Sequence, residues 1–467
     1  MELWLRWMSL VRFLKGACNR EKTFFWLITA LIGFTIKFDT SGVTSLARGV
    51  GLCGCYYTNL LHLFSSSSLN LIKLQHLWIR LIKSQFTGLL VVNGRHVIVG
   101  DGIKYGKEGK KMPAVKSLHQ DSQSNSKASK IMGHSLQVVA LLGKGLHGYF
   151  AMPLTGRIHE GIRLHYTENK TLLDKMFDLL VNLDFGDPFY FVADKYYCSG
   201  RFMKQLIKSG SNLITMMKTV SVAYRQPEPE PKRRGRPKKY GEKVKLFDLF
   251  NSDLEFTSCP MPGNPKVIIE YYVIQLLWRP VGRLVNFVLV KHPTRGNSIC
   301  MSTDLLLKAT DIIFIYALRF KIEVAFKEAI YQIGTFMYHF WLKCMNPTKK
   351  GDGNIFLQFS GRDYKEKILN KMRTYHVFIQ IAFIAHGLMQ WLSVCCYKAI
   401  WDNFGSWMRT IRANVMPSAK VVCMAMRNTY AEFLLDDTTM NNVKKFIIDR
   451  TDFNQLKCNS PPLKKAA

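Results

Sequence analysis

The segment VFIQIAFIAHGLMQWLSVCCY, residues 377 to 397, runs for 21 residues without a formal charge. As a helix, a stretch of that length has to lie in apolar surroundings, either a bilayer or a core large enough to enclose it. Gln380, Gly387 and Gln390 fall along one side of that helix, as in a helix packed inside a protein. The chain has 467 residues, enough for such a core and for two or three domains. A second apolar run, TFFWLITALIGFTI at 23 to 36, follows Arg20 and Lys22 as a signal-peptide core would. Its 14 residues fall short of a span, and KFDTSGV after it lacks a convincing small-residue cleavage site. Both runs are read as buried helices of a cytoplasmic protein without a membrane partner.

Lys and Arg number 65 against 33 Asp and Glu, a net charge of 65 − 33 = +32 spread over the whole chain. Such an excess repels itself unless neutralised, and the phosphate backbone of a nucleic acid is the usual partner; an anionic membrane surface is the second. The 11 cysteines show no zinc-type spacing, since Cys53 with Cys55 and Cys395 with Cys396 are too close. They are read as reduced thiols, and the 12 histidines, which form no HExxH, as packing and surface residues.

In chain order, residues 1 to 85 read as a helical domain. A short helix over VTSLARGV is capped by Asp39 or Ser41 and closed by Gly51, and another starts near Tyr56. Two short helices about a glycine turn are compatible with DNA-end binding as well as with an ordinary helical core. Residues 86 to 224 turn to strands. GLLVVN and HVIVGD flank an Asn93-Gly94 turn, and the second strand delivers Asp101. The lysine-rich KYGKEGKKMPAVK follows as a cationic loop suited to phosphates, and the long run from His134 to Ile158 reads as two more strands. Past a helix over TLLDKMFDLLVNL, the strand PFYFVA delivers Asp194, and Ser199 can cap the helix that follows.

Residues 225 to 243, RQPEPEPKRRGRPKKYGEK, break any fold. Their KRRGRPKK core resembles the AT-hook, which lies in A·T minor grooves. VKLFDLF, KVIIEYYVIQLLW and RLVNFVLVKH then read as strands of a β insertion ending near 305. Residues 306 to 412 begin with a helix over FIYALRFKIEVAFKEAI, on which Tyr316, Arg319, Glu323 and Lys327 share one sector. IGTFMYHFWLKCM reads as a further helix whose aromatics pack in the core, and the tail from 413 is mixed and ends in a disordered stretch. Taken alone, the Glu323 stripe is an intrahelical ion-pair face, and each Asp a turn residue. Taken together, two strand-end aspartates and a helix glutamate in a strongly basic chain suit phosphodiester chemistry with two divalent ions. Oxygen ligands favour Mg²⁺ or Mn²⁺.

The blocks VIVGDGIKYGKEGKKMPAVKSLHQ, FYFVADKYYCSG, RRGRPKKYGEKVKL and YALRFKIEVAFK, in this order, resemble a bacterial insertion-sequence transposase of the DDE superfamily. The resemblance runs from about residue 25 to 400 and includes the Tyr-x2-Arg-x3-Glu signature of the branch with a β insertion. It implies an α/β fold with a ribonuclease H-like mixed-sheet catalytic core, a β-rich insertion and an N-terminal helical domain. Catalytic and metal-binding roles then fall on Asp101, Asp194 and Glu323. DNA contacts fall on Tyr316, Arg319 and Lys327, joined from the basic segments by Lys104, Lys107, Lys110, Lys111, Arg233, Arg234, Arg236 and Lys238. The family's signature Lys position holds Ile330 here. Glu328 lies roughly 140° around the helix from Glu323 and is the weaker candidate acid. The implied protein acts on double-stranded DNA as a homodimer in the bacterial nucleoid, with two Mg²⁺ or Mn²⁺ ions. The competing expectations are a catalytically inactive DNA-binding descendant and a ribonuclease H-like nuclease without strand transfer.

Overall fold

In the computed structural model the described residues are 2–120, 128–168, 170–228, 238–405, 412 and 414–454. They form a mixed α/β protein of two compact units, one of residues 1–88, 102–169 and 324–467, the other of 89–101 and 170–323.

The second unit contains the acids. Its first strand, β1 (Arg95–Gly106), leaves a turn at Asn93 and Gly94, whose φ values of 46° and 72° are those a type I′ hairpin requires. The hairpin partner keeps only Val91–Val92, whereas β1 continues past Asp101 to Gly106. Asp101 is thus an inner residue of a strand that enters the first unit, and not its last residue as expected.

Among the described residues of the first unit, β1 neighbours β2 (Lys130–Gly145), and β2 pairs antiparallel with β3 (Gly148–Ile158). In the second unit, β1 pairs in parallel with β4 (Phe189–Val192), and β4 in parallel with β5 (Asn212–Met216); helix α3 (Leu172–Val181) precedes β4 and helix α4 (Gly200–Lys208) follows it. All four residues of β4 are buried, as expected for a parallel strand covered on both faces. Burial of Phe191 alone contributes about 1.5–3 kcal/mol. The β insertion adds antiparallel strands to the edge of β5: β6 (Asn264–Trp278) pairs with β7 (Arg283–His292), β7 with β8 (Gly296–Ser302), and β8 with β5. VKLFDLF contributes only the strand Lys243–Lys245 before a 3₁₀ turn, Asp248–Asn251.

In the first unit, both apolar runs are buried helices. The residues of α1 (Glu21–Ile36) are enclosed from Trp26 to Ile36. α2 (Leu71–Gln85) places Trp78 against the site of Gly387, where an added Cβ would lie 2.2 Å from the indole. That glycine belongs to α7 (Arg362–Cys395), which is long and apolar enough to cross a membrane but has 89 % of its most apolar window buried in the fold. Gln380 donates to Leu154 O at 2.8 Å and Gln390 to Ala151 O at 3.1 Å, so the polar side of the helix meets the backbone of β3.

Two helical expectations fail. The Glu323 helix is broken into α5 (Ala309–Leu318) and α6 (Lys321–Glu328). Between them Arg319, Ile322 and Glu323 make backbone bonds to the residue three positions back, which tightens the chain. A π-type turn follows at Ala329–Ile333 and ends on Gly334 in the left-handed region. IGTFMYHFWLKCM past that point is not helical: Thr335 and Phe336 form a turn and the residues from Met337 to Leu342 are irregular; Phe336, Tyr338 and Phe340 are buried while His339 and Trp341 are exposed. These aromatics do pack in the core, on a period of two. VTSLARGV does form a helix, Val43–Gly49, but no side chain caps it; Asp39 instead accepts from Ser41 N and binds Arg48.

Candidate catalytic carboxylates and their shared cation

The three acids lie on β1 (Asp101), two residues past the end of β4 (Asp194) and at the start of α6 (Glu323). In the parallel pair of β1 and β4, Val99 lies opposite Val192, an offset of 192 − 99 = 93. Asp101 and Asp194 have the same offset, 194 − 101 = 93. Both aspartates lie two residues beyond the last recorded pair of this ladder, Asp194 already opening the turn that follows β4.

Backbone anchoring holds Asp194 there. Its carbonyl accepts from Thr215 Oγ1 at 2.9 Å, and its carboxylate accepts from Tyr196 N at 3.1 Å, opening the 3₁₀ turn Lys195–Tyr197. The strand carrying Asp101 depends on a glycine the sequence reading passed over. A Cβ at Gly100 would lie 2.5 Å from the ring of Phe191, so only glycine lets β1 lie so close to the β4 aromatic. A Cβ at Gly102, the residue after the acid, would meet only Leu136 O, at 3.7 Å.

Arg319, at the joint between α5 and α6, binds two of the three acids. Its Nη1 donates to Asp101 Oδ2 at 3.1 Å and its Nη2 to Glu323 Oε1 at 2.8 Å. The side chains are 19 %, 23 % and 41 % exposed for Arg319, Asp101 and Glu323, so the group is sheltered but not sealed. Burial disfavours the guanidinium charge, yet Asp101, Tyr316 and Glu323 outweigh it and raise the Arg319 pKa. Tyr316, on α5, is pushed up to about 12, chiefly by burial; Arg319 pulls the other way, and the charge of Asp194 adds to the rise. Its phenol is neutral at physiological pH.

Among the described residues, no three His, Cys, Asp or Glu side chains are grouped to hold a metal ion. The donor chemistry suits Mg²⁺, but the arrangement does not fit it, because Arg319 lies between the acids that would be ligands. The third, Asp194, bonds to its own turn.

The basic residues divide. Lys327 is exposed on the last turn of α6. Lys104 is exposed and donates to His119 O at 2.6 Å. Lys110 is exposed, and Lys111, half-buried, donates to Lys343 O at 3.1 Å. Lys238 is exposed, while Arg233, Arg234 and Arg236 lie outside the described residues.

Lys107 contradicts its expected role. It is 6 % exposed, donates to Phe336 O and Tyr338 O, and lies 3.8 Å over the Tyr338 ring. Burial pushes its pKa down to about 7. The supposed cationic loop is thus tied down by this lysine and by the buried run Met112–Val115.

No protein-family model matches the chain, and no curated protein does. Among solved structures it is similar to the piggyBac transposase in a synaptic complex with hairpin DNA, at 10 % identity and a TM-score of 0.33, covering 98 % of this chain and 84 % of that one. At that score the likeness carries no weight for fold or activity.

Proposed function

We propose that the chain is a DNA transposase that cleaves at the ends of a mobile element with water and joins the freed 3′ hydroxyl to target DNA. Asp101, Asp194 and Glu323 are its catalytic acids. The observation that carries this reading is the convergence of Asp101 and Glu323 on one guanidinium, with Asp194 just past the end of the strand that pairs in parallel with the one bearing Asp101.

The neighbours of β1 support a ribonuclease H-like core. In the second unit β1 pairs in parallel with β4, and β4 in parallel with β5. The net charge of +32 supports duplex DNA as the partner, bound by a homodimer that holds two element ends. Mg²⁺ or Mn²⁺ is the expected cofactor of such acids, although the carboxylates as folded do not present a site for it.

The test uses a duplex built from the terminal inverted repeats that flank the gene. Replacing Asp101, Asp194 or Glu323 by Ala is expected to abolish Mg²⁺-dependent cleavage of that duplex while leaving its binding intact. Cleavage retained by any one of the three sinks the assignment. The closure of two acids on Arg319 also suits a second reading, a DNA-binding protein without catalysis, for which the parent chain would bind the duplex and never cut it.

A further inference from the structure

Away from the acids, the first unit holds an open cavity of about 540 Å³, lined from the end of α1, the π-type turn at Ala329–Ile333 and the helix Ala419–Asn428. We propose that it is a binding site for a phosphate monoester carried on a flat aromatic ring, as in a nucleoside monophosphate. The inference does not depend on the catalytic reading.

Charge selects the phosphate. Lys37, Lys420 and Arg427 line the cavity against one acid, Asp39, a balance of 3 − 1 = +2. That acid is already bound, at 2.7 Å, to Arg48. Two of the cations have carbonyl partners instead: Lys37 donates to Ile333 O and lies 4.8 Å from the Phe34 ring centroid, and Arg427 donates to Ile36 O at 2.7 Å and to Lys37 O. Carbonyls satisfy their hydrogens without neutralising them, so the wall keeps a positive surplus that a dianion complements. A phosphate monoester is a dianion above its second pKa of about 6.

The apolar part of the wall selects the ring. Phe38 and Tyr331 are both exposed, and Arg427 lies 3.8 Å over the Phe38 ring. Exposed aromatics beside a stacked guanidinium suit a planar ring better than an aliphatic chain. The volume is that of a site for a small organic molecule.

Lys37 supplies a signature. Burial lowers its pKa to about 7, while Cys423 and Asp39 pull more weakly the other way. The remaining titratable and charged side chains of the wall are Tyr331, Lys420 and Arg427. At pH 8 the amine is therefore mostly unprotonated, and a dianion beside it favours the ammonium. The ligand enters together with a proton.

The experiment is isothermal titration calorimetry of the full-length protein with adenosine monophosphate at pH 8, in two buffers of different ionisation enthalpy, which reads affinity and proton uptake together. One ligand per chain is expected, with uptake of up to one proton. A chain of charge +32 attracts any phosphate, so inorganic phosphate measures that background and adenosine the ring alone. Each is expected to bind at least about tenfold more weakly, since each lacks one of the two anchors. Lys37→Met is expected to lose the proton uptake and at least about tenfold in affinity for the monophosphate. Binding no tighter than that of inorganic phosphate or of adenosine, or proton uptake unchanged in Lys37→Met, overturns the proposal.

Should Lys37→Met fail to fold, Lys420→Ala decides, because that side chain is exposed. A several-fold weaker affinity with the proton uptake kept is expected, and an unchanged affinity overturns the site. A 5′-phosphorylated oligonucleotide carries the same ring and phosphate. Displacement of the monophosphate by it, and not by its unphosphorylated form, makes a DNA end the source of the ligand; binding without such displacement makes it a free nucleotide, and the site stands in both cases.

Discussion

Arg319 in the second unit and Lys107 in the first are both cations withdrawn from bulk water, and their partners make them opposite kinds of residue. Arg319 faces two carboxylates, which hold its charge in place and raise its pKa against the effect of burial. Lys107 faces two backbone carbonyls and an aromatic ring, which satisfy its hydrogens without neutralising it, and its pKa drops to about 7. A cation held by movable carboxylates can be exchanged for another anion. One held by the backbone of Phe336 and Tyr338 can only be kept or lost with the fold. Enclosure alone therefore does not mark a functional cation; the chemistry of its partners does.

The contrast is open to attack at its strongest point first. Lys107→Glu would bury a carboxylate against the same carbonyls, and a loss of at least about 3 kcal/mol in urea unfolding is expected. A loss below about 1 kcal/mol would mean that the site is not closed to water.

The next effect is a pH dependence. Lys107 and Lys37 both fall from an unfolded value of 10.5 to about 7 in the fold, in each case through burial first. Between those pH values the unfolded chain binds more protons than the native one, so stability rises with pH across that window. The cost of burying the ammonium is absent above about 10.5, grows as pH falls and is complete below 7. Each lysine adds a slope of up to ~1.4 kcal/mol per pH unit. Lys107→Met is expected to flatten the measured slope by about one such share; an unchanged slope would put the charge of Lys107 in water.

The smallest expected effect lies on the other side of the comparison. Arg319→Gln is expected to change stability by less than about 1 kcal/mol, since its ion pairs are partly exposed, and the change shrinks as salt is added. If it costs as much as Lys107→Glu, Arg319 is a structural pin and the contrast collapses.

What the sequence made legible was local. The Asn93-Gly94 turn follows from two residues that accept positive φ, and the Arg319–Glu323 pair from a spacing of four. Gln380 and Gln390 marked the protein-facing side of α7 because a buried amide needs a partner, and β3 supplies it. What stayed hidden depended on distant contacts. The bond from Arg319 to Asp101 spans 218 positions, and the carbonyls that enclose Lys107 lie 229 and 231 positions away. Without those partners a lysine-rich segment reads as solvated. The continuation of β1 past Asp101 was hidden for the same reason, since its neighbour β2 begins well down the chain. The non-helical run at Phe336, Tyr338 and Phe340 is different. Its alternation is present in TFMYHFW, but the aromatic residues between the buried ones mask the period of two.

The joint between α5 and α6 also governs how the gene can change length. One residue added between Arg319 and Glu323 would turn the glutamate about 100° around its helix, out of reach of the fork that also binds Asp101. At the turn of Gly296, by contrast, an added side chain meets nothing within 4 Å. Insertions and deletions between descendants of this gene can collect at such turns, while the four-residue interval at the joint stays constant in any copy that keeps both bonds.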